Sequence, residues 1–347
     1  MRGLVKTARG VDNLELRELP DPRPSGSEVL VEVAAAGICG SDVHIKHDTT
    51  SYNPPVVIGH EYSGRVVEVG DSVTNIRVGD LVTSPATAYC GQCHPCKTGH
   101  MNRCTDPNRR ILGYSRANGA FAKYLVVPEY IVHKLPDGLP LEEAALAEPT
   151  ACVVHTIAEL TPIRPGDVVL VQGPGTTGLI ALQVARSMGA AKVIVTGMTA
   201  DRWRLDIAER LGADLTMDVQ QEQDAVEAVK RESHGVGADV VIEASGSGAA
   251  RRQGFEFVKT AGYVSLIGIQ GKATDINMDH IVMKELHVLG TWGTLPSTWV
   301  MTLRMMASRK IDVRPLITHR LPLREWQKGF DLMESQKAIK VLFTDMN

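Results

Sequence analysis

The sequence lacks the features that mark several specialised classes of protein. An excess of positive charge is absent, because 37 Lys and Arg stand against 40 Asp and Glu, giving a net charge of −3 and a pI of 6.4. Nucleic acids and anionic membranes attract clustered basic residues, so we expect neither as a partner. No apolar run reaches the roughly 18 residues of a membrane-spanning helix. A small, neutral or weakly charged molecule fits this composition best.

Cysteine and aromatic residues are also scarce. Six cysteines in 347 residues are too few for a disulfide scaffold, and four of them crowd between Cys90 and Cys104, which indicates metal binding. With aromatic residues at 5%, the core must be built mainly from aliphatic side chains and Met. Residues 1–6 lack the apolar core of a signal peptide. We therefore expect a cytoplasmic protein whose thiols stay reduced.

The pattern of the chain changes near its middle. At about 150 residues per domain, the length predicts two domains. Up to residue 140, short β-branched runs such as 28–33 and 64–69 are separated by turn residues. From residue 167, strands alternate with helices, beginning with a strand over 167–171 and a helix over 178–188. This alternation is typical of a doubly wound parallel sheet, so we predict an α/β fold in which a Rossmann domain follows a β-rich domain.

A glycine-rich loop follows the first strand of the second region. Its residues are Gly173, Pro174, Gly175, Thr176, Thr177 and Gly178. In a dinucleotide fingerprint the first glycine allows a tight turn, the second lets the backbone approach pyrophosphate, and the third lets the helix pack on the strand. The helix that follows presents N–H groups and the positive end of its dipole to the phosphates. The strand before and the helix after favour this interpretation over a purely structural turn.

The end of the next strand indicates which dinucleotide binds. An acidic residue there accepts hydrogen bonds from the ribose 2′-hydroxyl and repels a 2′-phosphate, but Gly197 occupies the place. Thr199, Arg202 and Arg204 follow, and their hydroxyl and guanidinium groups suit a phosphate. This chemistry favours NADP. NAD stays open, because the two arginines also fit the first turns of a solvated helix capped by Asp201.

Two groups of residues are candidates for zinc binding. Cys90, Cys93, Cys96 and Cys104 place four thiolates in one loop, which a tetrahedral structural zinc would close without an open position. Cys39, His60, Glu61 and Glu148 are scattered, but a thiolate, an imidazole and a carboxylate make a three-ligand set with a fourth position for water or substrate, as in catalytic zinc sites. Each has a simpler explanation when taken alone. Cys39 could be a small core residue, His60 and Glu61 could form a turn, and Glu148 could cap a helix.

At this point the sequence resembles the zinc-containing medium-chain alcohol dehydrogenase family over essentially its whole length. The matching motifs are residues 37–44 around Cys39, Gly59-His60-Glu61, the four-cysteine lobe, Ala147-Glu148-Pro149, and the loop 173–178. The resemblance implies a GroES-like catalytic domain over residues 1–150 and 291–347, with a structural zinc lobe over about 88–106. The Rossmann domain would then span residues 151–290, with two zinc ions per chain.

The resemblance also implies roles for single residues. Cys39, His60 and Glu148 correspond to the ligands of the catalytic zinc, and Glu61 to a carboxylate that binds or releases the metal. A glutamate at position 148 resembles the sorbitol and threonine dehydrogenase branch. The threonine dehydrogenases carry a tryptophan-bearing segment where this chain has residues 46–50, which favours a polyol. L-threonine 3-dehydrogenase activity remains the alternative.

The expected reaction moves a hydride between a secondary alcohol or ketone and the nicotinamide. Zinc stabilises the alkoxide that forms on oxidation. Ser41 and His44, close to Cys39 in sequence, are candidates for a relay that carries away the released proton. For His44 an orienting or surface role is the alternative.

Two other classes of protein compete with this interpretation. A zinc-free quinone reductase of the same fold has no use for the metal ligands, and a non-catalytic NAD(P)-binding structural protein would keep the fold without chemistry. Self-association as a dimer or homotetramer is also expected, because a strand over 285–289 would leave an open sheet edge that can pair across a two-fold axis.

Overall fold

The computed structural model describes all 347 residues, which form two compact units. The first comprises Met1–Ala151, Gly293–Ala307 and Leu316–Asn347, and the second Cys152–Trp292 and Ser308–Pro315. The predicted division keeps residues 308–315 in the first unit. They belong to the second because the Gln183 side chain accepts the Asp312 N–H at 2.6 Å and donates to its carbonyl oxygen at 3.2 Å. None of the helices has the length and hydropathy needed to cross a bilayer.

The first unit is built on a mainly antiparallel seven-stranded sheet. Its centre is Glu28–Gly37, in which Val29, Val31 and Val33 alternate into the core, as expected for a half-buried strand. Glu61–Val69 pairs with it on one side, and Lys340–Asp345 on the other. The carboxyl-terminal tail therefore returns to the first unit as a strand of its central sheet.

The remaining elements of the first unit surround this sheet. Its other strands are His133–Lys134, Leu81–Thr83, Ile317–Pro322 and Tyr124–Pro128, a second sheet contains Leu14–Glu18, Arg2–Lys6 and Val56–Val57, and a third contains Thr87–Ala88, Arg110–Leu112 and Arg116–Ala117. Its α-helices are Gly40–Lys46, His94–Lys97, Leu141–Ala144, Pro296–Ala307 and Trp326–Glu334, and Ala147–Val154 crosses into the second unit.

The second unit is a six-stranded parallel sheet. Its order is Leu215–Asp218, Lys192–Gly197, Val168–Gln172, Ala238–Glu243, Val258–Leu266 and His287–Gly290. Numbered along the chain, this is the order 3-2-1-4-5-6 of a Rossmann sheet, so the predicted fold class is confirmed. The connecting α-helices are Thr176–Ser187, Arg202–Arg210, Ala225–Glu232, Gly248–Phe257 and Asp279–Met283, and a π-helix spans His155–Leu160.

The core is built mainly from aliphatic side chains, as the composition predicts, and it also encloses several large aromatic ones. All five phenylalanines are buried, and Trp299 and Tyr62 are among the largest side chains that are fully enclosed. The aromatic residues are few, but each buried ring removes a large apolar area from water.

Candidate metal centres and cofactor site

Strand register brings the first group of metal-ligand candidates together. Gly37, the last residue of its strand, is paired with Glu61, the first residue of the neighbouring strand. Cys39 follows this pair and His60 precedes it, so both side chains lie at one end of the sheet. The ligand atoms of Cys39, His60 and Glu61 all lie within 4.8 Å of one another.

A buried carboxylate that the sequence interpretation missed supports this cluster. Asp42 lies in the first turn of the helix Gly40–Lys46, and its Oδ2 accepts the backbone N–H of Cys39 at 2.9 Å. Its Oδ1 lies 3.6 Å from Nδ1 of His60, and neither atom has another partner. A carboxylate behind a metal-binding histidine fixes the ring and leaves the other nitrogen for the metal. The available sequence signal was an acid three residues after a helix-capping position.

The charge around His60 also depends on Asp42. Burial acts to lower the pKa of His60, but the Asp42 carboxylate, with Tyr114 and Cys39, outweighs it and raises the pKa well above 6.5.

Glu61 is held by a lysine from the carboxyl-terminal strand. Lys340 Nζ lies 2.9 Å and 2.6 Å from the two carboxylate oxygens and donates to the Ile38 carbonyl at 3.0 Å. Both side chains are almost completely buried. Burial acts to lower the pKa of Lys340, but the Glu61 charge outweighs it and raises the pKa, so the lysine is cationic.

Tyr114 and Ser41 lie beside the same cluster. The Tyr114 ring is tilted against the His60 ring at a centroid distance of 5.6 Å. The Ser41 hydroxyl oxygen lies 3.5 Å from His60 Nε2. Burial raises the pKa of Tyr114, so its hydroxyl keeps its proton throughout the physiological range.

The other two predicted residues of this site occupy nearby elements. His44 Nδ1 is 2.9 Å from the Thr49 hydroxyl oxygen. The backbone N–H of Thr49 also donates to the His44 carbonyl oxygen. Glu148 lies in the first turn of the helix Ala147–Val154 and is partly buried. Glu148 is not one of the three residues whose ligand atoms lie mutually close, and its role as a ligand stays a prediction.

The donor set of this cluster fits a zinc ion. Thiolate, imidazole and carboxylate are the ligands that zinc prefers, and three of them leave a position open. The two buried polar atoms of Asp42 and His60 that face each other without other partners are the expected support for such a site.

The four-cysteine lobe has the geometry of a closed zinc site. The Sγ atoms of Cys90, Cys93, Cys96 and Cys104 all lie within 4.8 Å of one another. The distance from Cys93 Sγ to Cys104 Sγ is 3.8 Å, which matches the edge of about 3.8 Å of a tetrahedron with Zn–S bonds of about 2.3 Å. Backbone N–H groups donate to the Cys90 and Cys104 sulfurs at 3.3–3.4 Å. This arrangement stabilises thiolates and fits a structural zinc.

The glycine-rich loop has the conformation that a dinucleotide fingerprint requires. Gly173 has φ +97°, which favours glycine, and a Cβ there would collide with Ser245 at 2.7 Å. A Cβ on Gly178 would clash with the Gly173 carbonyl oxygen, whereas Gly175 faces open space. Thr176 and Thr177 begin the helix Thr176–Ser187, which has no side-chain cap. The tight turn, the open approach and the close helix–strand packing are therefore all present.

The loop after the second strand has a mixed charge. A Cβ on Gly197 would lie 3.1 Å from both Pro174 and Asp201. The Thr199 hydroxyl donates to Asp218 at 2.7 Å, and Arg202 is exposed and paired with a carboxylate one turn on in its own helix.

The remaining charges of this loop satisfy each other. Arg204 is buried against Asp201, which also accepts the Met198 N–H as a helix cap. Of the predicted phosphate contacts, only Thr199 and Arg202 are exposed. The sequence analysis did not identify Asp218 as the carboxylate beside Thr199.

Comparisons with known proteins identify the family to which this chain belongs. The chain matches family models described as alcohol dehydrogenase GroES-like domain over residues 25–137 and zinc-binding dehydrogenase over residues 176–308. It is 39% identical to the sorbitol dehydrogenase of Halalkalibacterium halodurans over 100% of each chain, and 37% identical to the L-threonine 3-dehydrogenase of Bacillus licheniformis over 99% of this chain and 98% of the relative. A solved structure of a zinc-binding dehydrogenase from Sinorhizobium meliloti bound to NADP has a TM-score of 0.91, 32% identity and coverage of 99% and 98%. The chain belongs to the zinc-containing medium-chain alcohol dehydrogenase family, a family of oxidoreductases, in its polyol and threonine dehydrogenase branch.

Proposed function

We propose that this protein is a zinc-dependent polyol dehydrogenase that transfers a hydride from a secondary alcohol to NADP, and back in the reverse direction. The observation that carries the proposal is the cluster of Cys39, His60 and Glu61, in which three zinc-type ligand atoms lie within 4.8 Å. A non-catalytic structural protein or a zinc-free reductase would have no use for such a set. Metal analysis tests this: two zinc ions per chain support the proposal, and one or none contradicts it.

Each metal candidate has its own function. Cys90, Cys93, Cys96 and Cys104 hold a structural ion, and Cys39 and His60, with a carboxylate from Glu61 or Glu148, hold the catalytic one. The catalytic ion supplies Lewis-acid stabilisation of the negative charge that develops on the reacting oxygen, while NADP supplies the hydride acceptor. Thiolate ligands must stay reduced, which supports a location in the cytoplasm.

Residues next to the metal ligands handle the proton that the alcohol loses. The Ser41 hydroxyl, whose oxygen lies 3.5 Å from His60 Nε2, would take the proton of the bound alcohol while it gives its own hydroxyl proton to the next group of the relay. His44, held by Thr49, passes the proton towards solvent. If His44→Ala leaves the pH dependence of turnover unchanged, the relay role of His44 is wrong.

The substrate is proposed to be a polyol such as sorbitol. Support comes from the similarity to a sorbitol dehydrogenase at 39% identity and from the absence of a tryptophan after Cys39 in residues 46–50. The similarity to a threonine dehydrogenase at 37% identity keeps L-threonine as the second candidate. Turnover with sorbitol, xylitol, butanediol, L-threonine and simple secondary alcohols distinguishes them, and activity confined to L-threonine would contradict a polyol substrate.

The preference for NADP rests on the loop after Gly197. No carboxylate occupies the place where one would repel a 2′-phosphate, and the exposed Arg202 offers a positive charge. The Asp218 carboxylate, which accepts a hydrogen bond from Thr199, places a negative charge in this loop and so disfavours a 2′-phosphate. The ratio of kcat/KM for NADP and NAD measures the balance, and a tenfold preference for NAD would overturn the proposal.

Self-association through the edge of the parallel sheet is also proposed. The strand His287–Gly290 is the last of its sheet, and a second copy related by a two-fold axis can pair with its open edge. The nearby side chains Met278, Val282 and Met283 are more than half exposed, as expected for a surface covered by another subunit. Light scattering of wild type and Leu289→Pro tests this, because proline removes an N–H donor from the strand. A monomeric wild type would contradict the proposal.

A further inference from the structure

Lys340 is a buried cation that neither the sequence interpretation nor the proposed reaction uses. It begins the strand Lys340–Asp345, and its side chain is 3% exposed. An ammonium group has three protons to donate, and here they face the two Glu61 oxygens and the Ile38 carbonyl. The group is therefore fully satisfied, and it holds the carboxylate through both of its oxygens.

The absence of a side chain at Gly37 makes room for the carboxylate of Glu61. A Cβ on Gly37 would overlap Glu61 Oε2 and would lie 3.3 Å from Lys340 Cδ. The carboxylate therefore packs directly against the Cα of Gly37 while it binds Lys340. The same carboxylate has an oxygen within 4.8 Å of the ligand atoms of Cys39 and His60. Glu61 therefore binds a fixed ammonium group and also lies close to the other metal-ligand atoms.

Lys340 is a positive charge in a part of the sheet that is otherwise rich in negative charge. Cys39 as thiolate, Asp42 and Glu61 contribute three negative charges close together, and the last two are fully buried. A buried charge without a partner is costly, and Lys340 offsets the charge of Glu61 directly. A divalent zinc ion held by Cys39 and His60 would offset two of the negative charges that remain at this site.

We propose that Lys340 is a positioning residue that holds Glu61 at the edge of the catalytic metal site and limits how fully Glu61 coordinates the metal. The inference rests on the proposed function, because it needs a metal at Cys39 and His60. Without Lys340, the metal is the only counter-charge for Glu61, so the carboxylate binds it as a full ligand. The metal then leaves more slowly, and its open position is partly lost.

The test measures the metal itself rather than turnover. Zinc release to a chelator is followed for wild type and Lys340→Met, with release from the four-cysteine lobe as an internal reference. The cobalt-substituted proteins are compared by visible absorption, which reports coordination. We expect Lys340→Met to release the catalytic metal more slowly than wild type does and to change the cobalt spectrum. Lys340→Arg keeps the charge and should lie closer to wild type than Lys340→Met.

Control variants separate positioning from a purely structural role. Lys6 is another buried lysine of the same unit and donates to backbone carbonyls, so Lys6→Met should leave metal release and the cobalt spectrum unchanged. In a Glu61→Gln background, Lys340→Met should have no further effect on release. Gly37→Ala displaces the carboxylate from Lys340 without removing a charge, so it tests the same idea if Lys340→Met does not fold. It should also slow release.

The possible results are distinct. If Lys340→Met or, where that variant does not fold, Gly37→Ala releases the catalytic metal at the wild-type rate with an unchanged cobalt spectrum, the inference is overturned and the lysine is structural. If wild type itself binds only the metal of the four-cysteine lobe, the proposed function fails instead.

Discussion

Replacing Asp42 by asparagine tests whether the buried carboxylate supports the metal site. Asp42 is fully buried, caps the Cys39 N–H at 2.9 Å and faces His60 Nδ1 at 3.6 Å. In Asp42→Asn the single amide oxygen can still accept the Cys39 N–H, but an uncharged NH₂ group then faces the His60 ring in place of the carboxylate oxygen. We expect zinc affinity at this site to fall about 10- to 100-fold, which is about 1.4–2.7 kcal/mol. Asp42→Ala also removes the cap, with a further loss of about 1 kcal/mol in folding stability.

Chelator competition measures the affinity, and elemental analysis counts the zinc ions that remain. Asp201→Asn is a matched control, because Asp201 holds the same capping position in another helix turn and accepts the Met198 N–H at 3.1 Å. It should bind zinc like wild type. Unchanged zinc affinity in Asp42→Asn would refute the reasoning, and equal losses in both variants would show a global effect instead.

Three further predictions concern other parts of the chain. Gly178→Ala should weaken NADPH binding at least about tenfold and cost about 1–3 kcal/mol of stability, because its Cβ clashes with the Gly173 carbonyl; fluorescence titration with undiminished affinity would contradict this. Burial lowers the pKa of His133, stacked on Trp299, to about 4. As the pH falls, the unfolded state therefore takes up a proton at His133 before the folded state does. The free energy of unfolding falls by about 2 kcal/mol from pH 7 to pH 5. Urea unfolding of His133→Phe should show a correspondingly smaller loss, and an equal loss would refute it. Cys96→Ser should release one zinc ion and lower the melting temperature while the other zinc stays, and a chain that keeps both ions would contradict a structural site at Cys96.

Local patterns in the sequence were sufficient for two parts of the molecule. The glycine spacing of residues 173–178 predicts the loop and helix start because each glycine has a separate steric reason that acts within six residues. The thiols of Cys90 to Cys104 lie in one short loop, so their spacing alone brings them near each other. The alternation of strands and helices after residue 167 likewise predicted the parallel sheet, which the structure and the comparisons confirm.

Other parts of the site could not be predicted from spacing. Glu61 and Glu148 are both acidic candidates in the sequence, and the register of two antiparallel strands brings Glu61 within reach of Cys39 and His60. The cofactor loop is similar, because Thr199 meets Asp218 only where two parallel strands end side by side.

The sequence by itself determined the family, the fold class and which residue types are available for zinc and dinucleotide chemistry, because motifs of a few residues carry that information. Only the tertiary structure decided which charges meet. Lys340 is 279 residues from Glu61 and reaches it because the last strand pairs with Glu28–Gly37. Hydrogen bonding between strands sets such contacts, and strand order and register are properties of the whole sheet rather than of any segment.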